Sequence, residues 1–244
     1  MGRLTEAVKH LLIINVILFF ATMIYGDQMY QWLSLWFPKN TNFQLWQVVS
    51  HMFMHGSLMH IVFNMYALWA FGTPLERVWG RNKFLFFYFS AGLGSAILHS
   101  GVNYYLFNEG MSALMDAGMA KQQILDILSR GQYSTDWYEM APKSTIDSFL
   151  TAYNTPAVGA SGAIYGILVA FAFMYSEAKL MLIFLPIPIK AKYFVPLLIA
   201  VDLIFGIGNV NTGIAHFAHI GGALIGFIMM WYWKKNEFNN NRWN

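Results

Sequence analysis

The sequence predicts an all-α polytopic membrane protein folded as a bundle of six transmembrane helices, and three observations carry that prediction. Of its 244 residues, 57% are hydrophobic and 11% charged, where an ordinary soluble domain has about 25% charged residues. The apolar residues gather into six runs, most of them near the ~20 residues a helix needs to cross the hydrocarbon core. The basic residues, finally, are distributed unevenly between alternate connecting segments.

The first run covers 9–28. Its apolar centre, Leu11 to Tyr25, is expected to stay in the chain as a span, because no small-residue cleavage site follows it and further spans come later. The remaining runs lie at 57–75, 83–106, 157–176, 193–209 and 214–233, so that 1–244 forms a single membrane domain. Pro186, Pro188 and Pro196 mark a turn and the start of the fifth run. Two connecting segments are long. The first, 29–56, carries "MYQWLSLWF" and "FQLWQVV", whose aromatic side chains suit the membrane interface. The second, 107–156, contains "MSALMDAGMAKQQILDILSR", where Leu114, Ala117, Met119, Ile124, Leu125 and Leu128 predict one amphipathic helix in an otherwise ordinary loop.

If the N-terminus is cytoplasmic, the cytoplasmic segments hold Arg3, Lys9, Arg77, Arg81, Lys83, Lys179, Lys190, Lys192, Lys234, Lys235 and Arg242. The outer segments hold only Lys39, Lys121, Arg130 and Lys143, although they are longer. That is the positive-inside pattern, and an even number of spans returns the C-terminus, with its polar "KKNEFNNNR" stop, to the cytoplasm. A net charge of +3 with scattered basic residues argues against a nucleic-acid partner. With no cysteine, disulfides, thiol catalysis and thiolate metal sites are excluded. No internal repeat suggests a transporter of inverted halves.

Ionisable and amide groups inside spans default to functional hypotheses. One cluster is "HMFMHGSLMHIVFNM", with His51, His55, His60 and Asn64; His51 with His55, and His60 with Asn64, are four apart and would share helical faces. Interhelical hydrogen bonding accounts for His51 better than for the whole set. The other is "HFAHIGGALIG", with His216 and His219. Gly222 and Gly226 follow at the G-x-x-x-G spacing that lets helix backbones approach, and Gly162 and Gly166 repeat it in "GASGAIYG". If the fourth and sixth spans pack through these glycines, Ser161 and His219 fall at similar depth.

That geometry suits acyl transfer. A neutral imidazole takes the serine proton and returns it to the leaving amine. His60, Asn64 and the Ser161 backbone N–H, in the first turn of its span, are candidate oxyanion donors. No carboxylate lies in either cluster, which implies a Ser–His dyad without a third, acidic member; Asp202 and His99 are expected to be paired structural groups. Tyr165, one turn beyond Ser161, is placed to pack against the imidazole.

Taken together these residues resemble the rhomboid intramembrane serine proteases. The resemblance rests on Gly159-Ala160-Ser161-Gly162 with Tyr165, on His55, His60 and Asn64, on Ala218-His219 with Gly222 and Gly226, and on "LERVWG" after the second span. It covers nearly the whole chain, in the family's order. It implies a six-helix endopeptidase that cleaves single-span membrane proteins in or beside their transmembrane segment, with Ser161 as nucleophile, His219 rather than His216 as base, and His60, Asn64 and the Ser161 N–H as oxyanion donors. Transmembrane substrates and the lipid bilayer are the implied partners, no cofactor or metal is required, and the bacterial inner membrane is the implied location. Because a helix hides its carbonyls in its own hydrogen bonds, substrates that unwind readily, with a small residue before the cut, are expected to be preferred. Two features depart from the family pattern: Trp46-Gln47 stands where Trp-Arg is frequent, so the arginine's bonds do not carry over, and the second long segment exceeds that of compact bacterial members. Two other readings draw on the same residues. One is a histidine-based metal site using His51, His55, His60, His216 and His219, which lacks the H-E-x-x-H of a zincin; the other is an inactive client-binding relative, a class that loses the serine or histidine kept here.

Overall fold

A computed structural model describes residues 4–182, 185–208 and 214–240 of the chain. Arg3, Arg242, the last residue of the fifth run and the junction at 210–213 lie outside the described residues. Helix α1 (Glu6–Tyr25) begins without a side-chain cap from Thr5. Instead the buried carboxylate of Glu76 accepts from the N–H groups of Ala7 (2.8 Å) and Val8 (2.9 Å), two of the donors a helix start leaves open. A short α2 (Asp27–Leu33) and α3 (Gln47–Ser50) lie in the first long segment. Ser57 caps α4 (Leu58–Ala67) by accepting from His60 N–H. A π-helical stretch, Leu68–Gly72, joins α4 to α5 (Thr73–Trp79).

Helix α6 (Arg81–Asp116) is the longest, and the second long segment then holds α7 (Lys121–Ser129), α8 (Trp137–Met140) and α9 (Lys143–Asn154). α10 (Ser161–Met174), the hairpin β1 (Lys179–Leu182) and β2 (Leu185–Lys190), α11 (Ala191–Ile207) and α12 (His216–Asn240) complete the chain. α6, α10 and α12 pack on one another, α11 flanks α10 and α12, and α1 stands beside α4 and α5. Phe84, Phe87 and Tyr88 of α6 and Ala163, Ile167 and Ala170 of α10 form the centre of the main core.

The fold corrects several expectations. It is not wholly α: Pro186 and Pro188 lie on a strand paired along one edge only, where proline is tolerated, and Pro196 falls inside α11. The third run's helix extends ten residues past 106, to Asp116. The single amphipathic helix is instead broken at Gly118, whose φ of +98° no helix accommodates, and Ala117 is exposed. The second long segment is no ordinary loop but a packed layer. Phe107, Leu114, Ile124, Trp137, Ile146 and Phe149 form a separate core there, with α9 laid on α6 where Gly110 leaves room for the Phe149 ring. His51 and His55 do not share a helical face, because the chain turns extended at Met54 (φ −92°, ψ 144°) between them.

Gln47 supplies what the missing arginine would not. Fully buried, its Nε2 donates to the carbonyls of Gln31 (3.0 Å) and Asn42 (2.9 Å), while Oε1 accepts from Gln44 N–H (3.1 Å). Gln47→Ala strands these backbone groups and is expected to cost about 2–3 kcal/mol, seen as a lower midpoint of thermal unfolding in detergent; an unchanged midpoint would show that the segment holds without it.

Large apolar side chains line the outside. Ile17, Phe20, Met23 and Ile24 of α1, Phe86 and Ile97 of α6 and Leu197 and Ile204 of α11 are all more than half exposed. A surface of this kind suits lipid, not water. Among the described residues, α1 and α6 are long and apolar enough to cross a membrane, and α10 is apolar but has 14 residues.

Candidate active site

The short α10 follows from its approach. Residue 157 pairs with Leu35 through two backbone hydrogen bonds of 2.9 Å, and Gly159 N–H donates to His51 O at 2.9 Å. The segment entering α10 therefore has its polar backbone satisfied by the first long segment, and the helix starts only at Ser161. Gly159 is required here twice over. Its φ is +124°, and a Cβ would lie 2.8 Å from His60 Nε2.

α10 and α12 touch through the paired glycines. A Cβ on Gly226 would lie 2.7 Å from Gly166 Cα, one on Gly166 would lie 3.0 Å from Gly222 O, and one on Gly222 would run into Gly162 O. This approach brings two side chains together across the helices: His219 Nε2 lies 2.9 Å from Ser161 Oγ. Tyr165 stacks on the His219 ring with centroids 4.2 Å apart and planes 13° from parallel. Gly162 and Ser95 of α6 meet behind the serine, where a Cβ on the glycine would enter the Ser95 side chain.

His60 and Asn64 lie on α4, one turn apart, and Asn64 is buried with its amide Nδ2 bonded to no protein group. A buried orphan donor is what a site for a transient oxyanion provides. The His55 and His60 rings meet edge to face at 5.0 Å. Burial, and after it the His60 ring, pushes the His55 imidazole down to about 3. Burial lowers His51 to about 4, and its Nδ1 bonds Gln47 O at 2.8 Å, which leaves it a structural tie. His99 bonds Asn103 within α6 at 3.1 Å. Among the described residues, no group of three or more acidic or imidazole side chains is arranged to hold a metal ion. The cavity of about 280 Å³ between Trp79, Lys83, Phe173 and Trp233 lies at the far end of α10 from Ser161.

One neighbour was not expected. Asp202 of α11 is buried, and its Oδ1 lies 2.5 Å from His216 Nδ1 and 3.2 Å from His219 Nδ1. Its Oδ2 accepts from the Tyr165 hydroxyl. A carboxylate thus does accompany the histidine cluster, contrary to the acid-free pair inferred from the sequence. The sequence signal was a lone aspartate in the middle of an apolar run; its partners, at 165, 216 and 219, come from two other helices.

A family model described as the rhomboid domain matches residues 42–143 and 140–236. The rhomboid protease GlpG of Pectobacterium atrosepticum is 30% identical over 240 residues, covering 98% of this chain and 65% of that protein. The rhomboid protease AarA of Providencia stuartii is 29% identical over 187 residues, or 75% of this chain and 54% of its own length. The mitochondrial presenilin-associated rhomboid-like protein of Homo sapiens is 28% identical over 194 residues, 76% of this chain and 38% of that one. The chain spans less than two thirds of each of these relatives. Since the matched region takes in α4 to α11, most of α12 and every residue gathered around Ser161, the chain belongs to the rhomboid family, an integral-membrane family whose proteases are serine hydrolases.

Proposed function

We propose that this chain is an intramembrane serine endopeptidase that cleaves single-span membrane proteins in or next to their transmembrane segment. The observation that carries the reading is the 2.9 Å approach of Ser161 Oγ to His219 Nε2 inside an apolar bundle. In the proposed reaction His219 Nε2 takes the Ser161 proton as Oγ adds to the scissile carbonyl carbon. The resulting oxyanion is held by the Ser161 N–H and by the side chains of His60 and Asn64. The intermediate collapses as Nε2 passes its proton to the leaving amine, giving an acyl-serine and a new N-terminus. Water then adds to the ester with its proton going to Nε2, and Ser161 regains that proton as the new carboxyl group departs.

The proposed topology uses α1, α4 with α5, α6, α10, α11 and α12 as six spans, with both termini cytoplasmic and the segments 29–56 and 107–156 on the outer face. The distribution of basic residues supports this orientation. At 14 residues α10 is about 21 Å long, less than a hydrocarbon core of ~30 Å. Its N-terminus, with Ser161, then lies below the outer surface, at the floor of a recess open to water from that side. Tyr165, Gly159, Gly162, Gly166, Gly222, Gly226 and His55 shape the recess and the helix approach beneath it. A bacterial inner membrane is the proposed location.

Fluorophosphonate labelling tests the reading without a known substrate. The purified protein in lipid is expected to be labelled, and Ser161→Ala to abolish the label while leaving the helical circular dichroism spectrum unchanged. A folded parent that stays unlabelled, or a Ser161→Ala variant that labels equally, defeats it.

A further inference from the structure

We infer that Asp202 is a positioning residue for His219, so that the site works as a Ser161–His219–Asp202 triad; the inference rests on the serine-peptidase reading above. A carboxylate buried in an apolar helix is costly unless every oxygen is bonded. Asp202 meets that condition through two residues of the proposed centre and one beside it: Oδ2 accepts from Tyr165, and Oδ1 faces the Nδ1 atoms of His219 and of the neighbouring His216. α11 also sets Phe205 against the His216 ring at 5.7 Å, and the polar partners of Asp202 come from α10 and α12.

The consequence falls on the imidazole. An ionised carboxylate can only accept, so the hydrogen on His219 belongs to Nδ1. Nε2 is left with its lone pair facing Ser161 Oγ at 2.9 Å, as a base requires. The other tautomer would set a lone pair against the carboxylate and a hydrogen against the serine. Asp202 also stabilises the imidazolium formed when Nε2 takes the serine proton. Tyr165 couples the two roles, since its ring stacks on His219 while its hydroxyl holds the same carboxylate. The closer contact to His216, 2.5 Å against 3.2 Å, makes that histidine the anchor that keeps Asp202 in its rotamer. A loose contact to the working histidine is usual before substrate tightens the site.

An aspartate that merely ties α11 to its neighbours would leave the ring tautomer unaffected, which separates the two roles. With the full chain in micelles and ¹⁵N-labelled histidine, the parent is expected to show His219 protonated at Nδ1 and bare at Nε2. Asp202→Asn is expected to shift that ring toward the Nε2–H form and to slow fluorophosphonate labelling about 10²- to 10⁴-fold, with Asp202→Glu recovering about tenfold of the loss. Labelling of Asp202→Asn within about threefold of the parent, or a parent ring protonated at Nε2, overturns the inference. Should the parent not label at all, the peptidase reading fails by itself, and the tautomers of parent and Asp202→Asn still decide whether Asp202 sets the ring. If Asp202→Asn does not fold, the parent tautomer and the Asp202→Glu rate decide.

Discussion

Replacing His219 with alanine is expected to reduce cleavage of a single-span reporter in proteoliposomes about 10⁴- to 10⁶-fold, with the bundle still folded. The loss is large because Ser161 has no other proton acceptor within bonding distance among the described residues: of the described side chains, only His219 Nε2 approaches Oγ, at 2.9 Å. A serine hydroxyl without a base is nearly inert, and the remaining oxyanion donors stabilise a state that is seldom reached. The fold should survive. His219 is not fully buried, and its removal leaves Asp202 still bonded to His216 and Tyr165, so no carboxylate oxygen loses its last partner. Product formed per enzyme, measured beside thermal unfolding of the same sample, separates chemistry from stability. A variant that keeps more than about one hundredth of parental turnover would indicate a different base.

Recognition of the reacting pair depended on helix periodicity. Ser161 precedes Gly162 and Gly166, and His219 precedes Gly222 and Gly226, so one helix-packing rule supplied depth and facing for both side chains. The rest of the centre was not legible in that way. Asp202 belongs to no local pattern, and its bonds join positions 14, 17 and 37 residues apart. Hydropathy also misjudged the second long segment, because it reports where lipid begins rather than where a helix ends. α6 runs on to Asp116 since Phe107, Met111 and Leu114 have a second core to enter, built largely from residues after 120. The sequence shows Gln47 where an arginine is frequent; it does not show that this buried amide both donates and accepts. For Asp202 and the second core the decisive partners lie on other elements, and for Gln47 they are backbone groups that no side-chain pattern displays.

Gly222→Ala is the substitution expected to damage fold and site together, although it adds one methyl group. The new Cβ would fall on the carbonyl oxygen of Gly162. Backbone cannot move aside as a side-chain tip can, so α10 and α12 must separate. That contact lies one residue from Ser161 and three from His219, where a shift of about 1 Å breaks the Oγ–Nε2 approach. Misplacement on that scale costs about 100-fold in rate, and overpacking a helix contact costs about 1–3 kcal/mol. Reporter cleavage and thermal unfolding in detergent are the two readouts, and both are expected to fall. Gly101→Ala is the matched control, since a Cβ there meets nothing within 4 Å and lies within the helical α6. It should leave turnover unchanged and raise stability by up to about 1 kcal/mol, the difference in helix propensity. Equal behaviour of the two variants would mean that α10 and α12 are not held at the separation which joins Ser161 to His219, and the glycine pairs would lose their role in assembling the site.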